Sequence, residues 1–260
     1  MFAAERIRKI KEILLEYKHV DINTLCSLLG CSVATVRRDL DKLESEGFLL
    51  KAYGGALLNE ENNSGVNISG IDDPYIDDKL ATAKIAATLV ENEDIIYIGP
   101  GSTCLEFAKC LNEKRRLTVI TNSIKVADAV IDKNDSTVIL LGGTLKSEKD
   151  KNHYTYGPTA LEEISRLYIN KAFFTVNGIS LKYGYTIANM NLSELYRAFM
   201  HQAENNYIIA DSSKFDQRSM IKIADITEMK NVITNVDVSS KYKEFFFSNK
   251  VAIYTSFDEK

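Results

Sequence analysis

Residues 32–57, SVATVRRDLDKLESEGFLLKAYGGAL, decide how the N-terminal part of the chain is read. Val33, Val36, Leu40 and Leu43 recur at steps of three, four and three, the period that gathers apolar side chains into one buried stripe of a helix. Ser32 stands where an N-cap is needed, its side-chain oxygen ready to accept from an orphan backbone N–H of the first turn. At about 100° per residue, the opposite face carries Ala34, Thr35, Arg38, Asp41 and Lys42, with Arg37 on its flank. Standing alone, such a helix would carry its two arginines as ordinary solvated charge. It does not stand alone. Upstream, DINTLCSLLG (21–30) has its own apolar period at Ile22, Leu25 and Leu29, a capping Asp21 and a turn glycine, Gly30. Downstream, FLLKAYGGALL (48–58) sets two short apolar runs around Gly54 and Gly55, the pattern of a β-hairpin with a tight turn.

Helix, turn, helix and hairpin, in that order, predict a winged helix-turn-helix. Arginine beside short polar residues near a helix N-terminus suits a major groove, where Arg bonds guanine bidentately and Thr meets a phosphate or a thymine methyl. Lys51 and Tyr53 fall on the wing, near the sugar-phosphate backbone. The predicted DNA-contacting set is therefore Ser32, Ala34, Thr35, Arg37, Arg38, Lys42, Lys51 and Tyr53.

Charge constrains how such contacts work. The net charge of the 260 residues is −4, and residues 1–58 hold nine Lys/Arg against eight Asp/Glu. Non-specific affinity for nucleic acid rises with the number of phosphates neutralised, so bulk charge excludes a generic polyanion binder and DNA contact must come from placement. A composition 45% hydrophobic and 26% charged is that of a globular protein. No apolar run approaches the length of a membrane span, and RIRKIKEILLEY (6–17) alternates charge with apolar residues where a signal peptide would be continuously apolar; the cytoplasm is the expected compartment. Cys26, Cys31, Cys104 and Cys110 form no CxxC pair, and His19, His153 and His201 are scattered, so neither a metal site nor a cofactor is expected.

The polar stretch NEENNSGVNISGIDD, residues 59–73, lacks any hydrophobic period and reads as a linker between a domain at 1–58 and a larger one at 74–260. In the larger part, seven short apolar runs alternate with helix-length segments: DIIYI (94–98), LTVI (117–120), TVILL (137–141), KAFFTV (171–176), YIIA (207–210), VITN (232–235) and VAIYT (251–255). The alternation predicts an α/β domain with a mostly parallel sheet. Several of these runs end in small or polar residues, and in a parallel sheet such ends lie along one edge, where ligands settle. The predicted ligand-binding set comprises Gly101, Ser102, Thr103, Thr121, Asn122, Ser123, Gly142, Gly143, Asn177, Arg197, Asp211 and Lys214. GST at 101–103, opening a helix, is a phosphate cradle in this reading, because a helix N-terminus favours an anion; Lys214 supplies compensating charge.

Quoted together, SVATVRRDLDKLESEGFLLKAYGGAL resembles the signature of the DeoR family of bacterial regulators, S-x-x-T-[VI]-R-R-D-L, then L-E-x-x-G, then H-G-G-A, with Tyr53 in place of the histidine. The likeness continues through AKIAATLV, the GST loop, TVITNS, VILLGGTL, YGPTALEEI, KAFFTVNGIS and ADSSKF, almost the whole chain. It implies a C-terminal domain similar to sugar-phosphate isomerases of the ribose-5-phosphate type, and a phosphorylated intermediate of sugar metabolism as inducer. Pro100, Asn170 and Tyr196 depart from the family pattern around the presumed pocket.

The expectation is thus a DNA-binding regulator, a repressor of a carbohydrate operon, working on double-stranded operator DNA as a homodimer or larger even assembly and controlled by a phosphorylated sugar. An isomerase is the alternative. It would need a general base near the sugar C–H, for which Asp211 with Lys214 is the attractive pair; Glu106 and Glu194 read as solvated helix positions, and no catalytic residue is expected. A metabolite-binding module without DNA affinity is a third possibility, separable by a mobility shift in a salt series.

Overall fold

In the computed structural model, which describes residues 3–17, 19–52, 54–59, 75–133, 135–147, 152–236 and 238–255, the chain divides into two units, Met1–Asp72 and Asp73–Lys260. Tyr53 and the predicted linker residues 60–73 lie outside the described residues.

The first unit runs α1 (Ala3–Tyr17), β1 (His19–Asp21), α2 (Ile22–Leu29), α3 (Val33–Ser45), β2 (Leu49–Ala52) and β3 (Gly55–Leu58). Its core takes Ile10 and Leu14 from α1, Leu25 and Leu29 from α2, and Val36, Leu40 and Leu43 from α3, all but fully buried. Truncating one of these leucines to Ala costs about 2–5 kcal/mol through lost transfer energy and the cavity left behind. Val33 is a correction to the predicted stripe: at 39% exposed it lies outside the core, being the first residue of α3, next to the capping Ser32. Asp21 caps α2, accepting from Thr24 N–H at 2.9 Å, and Gly30 ends it with φ 61°, a left-handed value that glycine adopts without steric penalty. Ser32 caps α3 by accepting from Thr35 N–H at 3.3 Å.

The hairpin is wider than the sequence suggested. β1 adds to it as a third antiparallel strand in the order β1-β3-β2. Asn59 donates its N–H to Phe48 O at 3.2 Å, so it closes the hairpin and belongs to this unit, one residue into the predicted linker.

In the second unit the main sheet is seven-stranded and wholly parallel. Its strands are β4 (Ile95–Ile98), β5 (Thr118–Thr121), β6 (Thr137–Leu140), β9 (Ile169–Phe174), β12 (Ala203–Ile209), β14 (Asn231–Ile233) and β15 (Ala252–Tyr254), in the order β15-β14-β12-β9-β4-β5-β6. These are the seven apolar runs read from the sequence. Both faces are covered, as buried parallel strands require. The helices α4 (Ile76–Thr88), α5 (Ser102–Lys109) and α6 (Ile124–Val130) share one core with Ile96, Ile98 and Phe173. The helices α7 (Pro158–Ile164), α8 (Met190–Gln202) and α9 (Ser240–Ser248) share the other with Tyr97 and Phe174. Alternate residues of one strand thus enter opposite cores, the two-residue period of an extended chain.

Two short antiparallel pieces, absent from the sequence reading, complete the unit. One is the hairpin β7 (Thr144–Ser147) and β8 (His153–Tyr156); the other is a sheet of β10 (Gly178–Ser180), β11 (Gly184–Ile187) and β13 (Ile221–Ala224). Chain order through the main sheet fixes a switch point. From β4 the path steps outward to β5 and β6, then returns to β9 on the other side of β4 and continues to β12, β14 and β15. At the C-terminal ends of β4 and β9 the connections leave in opposite directions, and that opens a crevice in sheets of this kind.

Candidate functional site

The outer face of α3 is shaped by which cations are already paired. Arg6 of α1 makes a two-pronged contact with Asp39, Nε to Oδ2 at 2.8 Å and a second nitrogen to Oδ1 at 3.2 Å. Asp39 is only 6% exposed, so this pair fastens α1 to the inner side of α3. Lys11 reaches Glu46 at 3.2 Å, and Lys51 of the wing reaches Asp41 at 2.6 Å and Glu44 at 2.8 Å. Those carboxylates raise the Lys51 pKa, Asp41 contributing most and Glu44 next. Arg37, Arg38 and Lys42, by contrast, are exposed, and no ion pair holds them among the described residues. The arrangement consumes flanking charge in positioning α3 and leaves three cations free along its outer side.

Of the predicted contact set, Ser32, Ala34, Arg37, Arg38 and Lys42 are exposed on or just before α3, and Thr35 is half-buried. Ser32 Oγ and Thr35 Oγ1 lie 3.0 Å apart, each partly occupying the other. Lys51 differs from expectation: its ammonium is turned onto α3, so it stiffens the wing instead of presenting free charge. Asp39 was not singled out from sequence, since an aspartate between Arg38 and Leu40 reads as solvated; the signal that could have found it is its place one residue before the buried Leu40.

At the sheet edge, three neighbouring strands bring candidate groups together. After β4, Gly101 adopts φ 132° and ψ 159°, a region essentially closed to other residues, and a Cβ there would overlap the Thr175 methyl at the end of β9. This close approach sets Ser102 and Thr103 as the first turn of α5, with Ser102 exposed and Thr103 2% exposed. After β9, Asn177 is exposed and accepts from Ala188 N–H at 2.9 Å. After β12, the fully buried Asp211 accepts from Ser213 N–H at 3.0 Å through Oδ1, and also from the Ser213 hydroxyl, while Oδ2 has no partner among the described residues. Lys214 follows in the same short 3-10 turn (Ser212–Lys214), half-buried, with no ion pair among the described residues. Asn235, after β14, fastens this turn by accepting from Ser212 N–H at 2.7 Å.

Other predicted ligand residues are not brought to this edge as free groups. Thr121 is buried, donating to Ile98 O at 2.7 Å and accepting from Ser123 N–H at 3.0 Å. Asn122 is buried between Thr155 O, to which its amide donates at 2.8 Å, and the Tyr97 hydroxyl, which donates to it at 3.0 Å. Ser123, 1% exposed, caps α6. These three tie β4, β5 and β8 together. Gly142 N–H already donates to Glu163 Oε2 at 3.1 Å, and Gly143, exposed, begins the β7–β8 hairpin. Arg197 lies two turns into α8, donates to Lys222 O at 2.8 Å, and lines a groove with His201 and Asn206. The face of α8 that carries it could not be read from apolar spacing alone.

Lys79 is a buried lysine that its helical setting conceals. It sits in the first turn of α4 and is 7% exposed. Because α4 leads into the start of β4, its first turn belongs to the same edge as the first turn of α5. A lysine on an amphipathic helix reads as solvated, and only packing reveals that this one is buried. The departures from the family pattern also have places. Asn170 accepts from Ile95 N–H at 2.9 Å, joining the starts of β9 and β4, and Tyr196 is buried edge-on to Phe174, its hydroxyl against Gly99. Cys104, on the buried side of α5, has its thiol pushed up to about 12 by burial. No group of His, Cys, Asp and Glu able to hold a metal occurs among the described residues, and no helix among them is long and apolar enough to cross a membrane.

Comparison with known proteins matches the two units separately. Residues 6–62 match the DeoR-like helix-turn-helix domain, and residues 75–236 match the DeoR C terminal sensor domain. The chain is 32% identical to the HTH-type transcriptional repressor GlcR of Bacillus subtilis, over 90% of this chain and 89% of that one. It is 31% identical to the HTH-type transcriptional regulator GolR of Listeria innocua, over 94% and 96%, and 28% identical to a putative aga operon transcriptional repressor of Escherichia coli O157:H7, over 89% and 86%. Among solved structures, ribose 5-phosphate isomerase A of Methanocaldococcus jannaschii overlaps 54% of this chain and 55% of its own at 17% identity and a TM-score of 0.39. With a DeoR-like helix-turn-helix domain in one unit and a DeoR sensor domain in the other, the chain belongs to the DeoR family of HTH-type, DNA-binding transcriptional regulators.

Proposed function

We propose that this regulator is a repressor of a carbohydrate operon whose grip on operator DNA is set by a phosphorylated sugar bound where β4, β9 and β12 end. The observation that carries the reading is the Gly101 turn, which only glycine can make and which bares the first turn of α5 at the switch point. A phosphate there meets N–H groups at the positive end of a helix, with Lys214, half-buried in the turn after β12, as compensating cation. The buried, unpartnered Oδ2 of Asp211 suits a sugar hydroxyl, which would donate to it. Repression is the role named for GlcR and for the aga operon regulator, and it is carried here on that likeness.

Control requires the sugar phosphate to bind one arrangement of the protein more tightly than another, since equal affinity shifts nothing. A near-neutral headpiece buries too little surface for tight operator binding by itself. The protein therefore acts as a dimer or larger even assembly, with half-sites about one helical turn apart or a multiple of it. A thermal-shift screen of phosphorylated sugars against their unphosphorylated parents tests the site, because a ligand of the folded state raises Tm by mass action. The reading predicts a phosphorylated hit that is lost in Ser102→Asp and that releases DNA in a mobility shift. Equal response to parent sugars, or a hit that Ser102→Asp leaves intact, would refute it. Turnover of the hit to an isomer would favour the enzymatic alternative.

A further inference from the structure

We infer that a cleft on the outer face of the β10-β11-β13 sheet is a second anion-binding site, suited to one phosphate-sized group on a small molecule. Tyr185 and Ile187 of β11 are buried in the core, so Thr186 between them faces the other way, and its cross-strand partners Gly178 and Lys222 share that face. Over it lies a cleft of about 620 Å3, the size of a small-metabolite site. Two loops make its rim, one bearing Lys182 and Tyr183, the other Arg218 and Ser219.

The chemistry of the rim is lopsided. Lys182 Nζ lies 5.1 Å and the Arg218 guanidinium carbon 5.0 Å from the centre of the same Tyr183 ring. Neither cation has a carboxylate partner among the described residues. Their neighbours are neutralised: Lys222 pairs with Asp225, and Lys241 with Asp216 at 2.7 Å. In a chain of net charge −4, two unneutralised cations gathered on one ring are a local arrangement, not overflow of bulk charge. Hydrogen bonds to Lys182, and beyond it Arg218, hold the Tyr183 phenol below its ordinary pKa, as expected where positive charge lacks its counter-ion. The Ser219 N–H is already given to Thr186 Oγ1 at 2.9 Å, which fixes the second loop and leaves the Ser219 hydroxyl for a ligand. Both charges lie about 5 Å from the centre of one ring and line one cleft. A nucleic-acid strand spreads its phosphates along a line and is met by cations in a row, so the arrangement favours a single compact anion.

The test is titration of the full chain with inorganic phosphate, followed by backbone amide shifts in NMR. The inference predicts saturable shifts at residues 182–184 and 218–220. Affinity should fall at least tenfold in Lys182→Gln or Arg218→Gln and vanish in the double variant, with unchanged thermal melting since both positions are exposed and lie in loops. The response should persist in Ser102→Asp, which separates this cleft from the β4 edge and leaves the inference standing even if the sugar-phosphate reading fails. Absence of saturation, persistence in the double variant, loss in Ser102→Asp, or tighter binding of random duplex DNA at these amides would overturn it.

Discussion

Gly101→Ala separates backbone strain from crowding at the β4 edge, and both terms can be worked from the structure. Alanine at φ 132° and ψ 159° enters a region nearly reserved for glycine, at a cost of about 1–3 kcal/mol. Its Cβ would also overlap Cγ2 of Thr175, and forcing an extra carbon into a packed site costs about 1–3 kcal/mol more. The larger unit should therefore lose about 2–6 kcal/mol, a large part of a typical domain's 5–15 kcal/mol. Thr175→Ser removes the overlapping methyl while keeping the hydroxyl, so in the double variant the crowding cost should disappear and the strain cost remain. Urea denaturation of the four proteins, read by near-UV tyrosine signal, measures this coupling. Only Tyr17 and Tyr53 of the 13 tyrosines precede residue 75, so the signal reports chiefly the larger unit. Strictly additive effects, or a Gly101→Ala protein as stable as the parent, would refute the account of this turn. Because the α3 face is untouched, DNA affinity below the unfolding transition should be unchanged.

Other expectations follow from the same geometry. Lys51→Ala should leave the salt dependence of DNA binding nearly unchanged, because its charge is already spent on Asp41 and Glu44; a slope reduced by about one unit would mean that it neutralises a phosphate. Iodoacetamide at pH 8 should spare Cys104 in the native protein, since a thiol pushed up to about 12 is almost wholly protonated there, and should label half-buried Cys26 and Cys31 first; equal labelling by mass spectrometry would contradict this. Asp216 is held below the ordinary carboxylate pKa by Lys241 and then by the Tyr242 hydroxyl. It therefore stabilises the fold above the unfolded-state pKa, and this contribution is lost as pH falls through the lower native value. The stability advantage of the parent over Asp216→Asn should be constant above about pH 5 and fade in more acid solution; an advantage that grows on acidification would reverse the sign.

The parts of the fold visible in the sequence were those with a repeated apolar signal. Val36, Leu40 and Leu43 marked the buried side of α3, and all seven strands of the parallel sheet appeared as apolar runs because both of their faces are covered. Their order did not, since nothing local distinguishes β4, at the switch point, from β5. β1 (HVD), β10 (GIS) and the hairpin β7–β8 (TLKS and HYTY) break up their apolar residues with polar ones, so they carry no apolar run. The cap at Ser32 and the turn at Gly101 were legible because capping and turn geometry are local demands. Thr121, Asn122 and Ser123 mark the limit of that signal: short polar residues after a strand serve a ligand or tie down a neighbour, and only packing shows that these three are buried and bonded. Lys79, Asp39 and Arg197 depend on which side of a helix meets the rest of the unit, a property of packing rather than of spacing.

The central claim is that the free side of α3 reads DNA. Duplexes selected from a random pool by the parent protein, followed by fluorescence anisotropy on the enriched sequence, test it through Arg38→Ala. The account predicts a loss of about 1–3 kcal/mol per half-site with undiminished thermal stability; an Arg38→Ala protein that binds the selected duplex with the parent's affinity and sequence preference would contradict it.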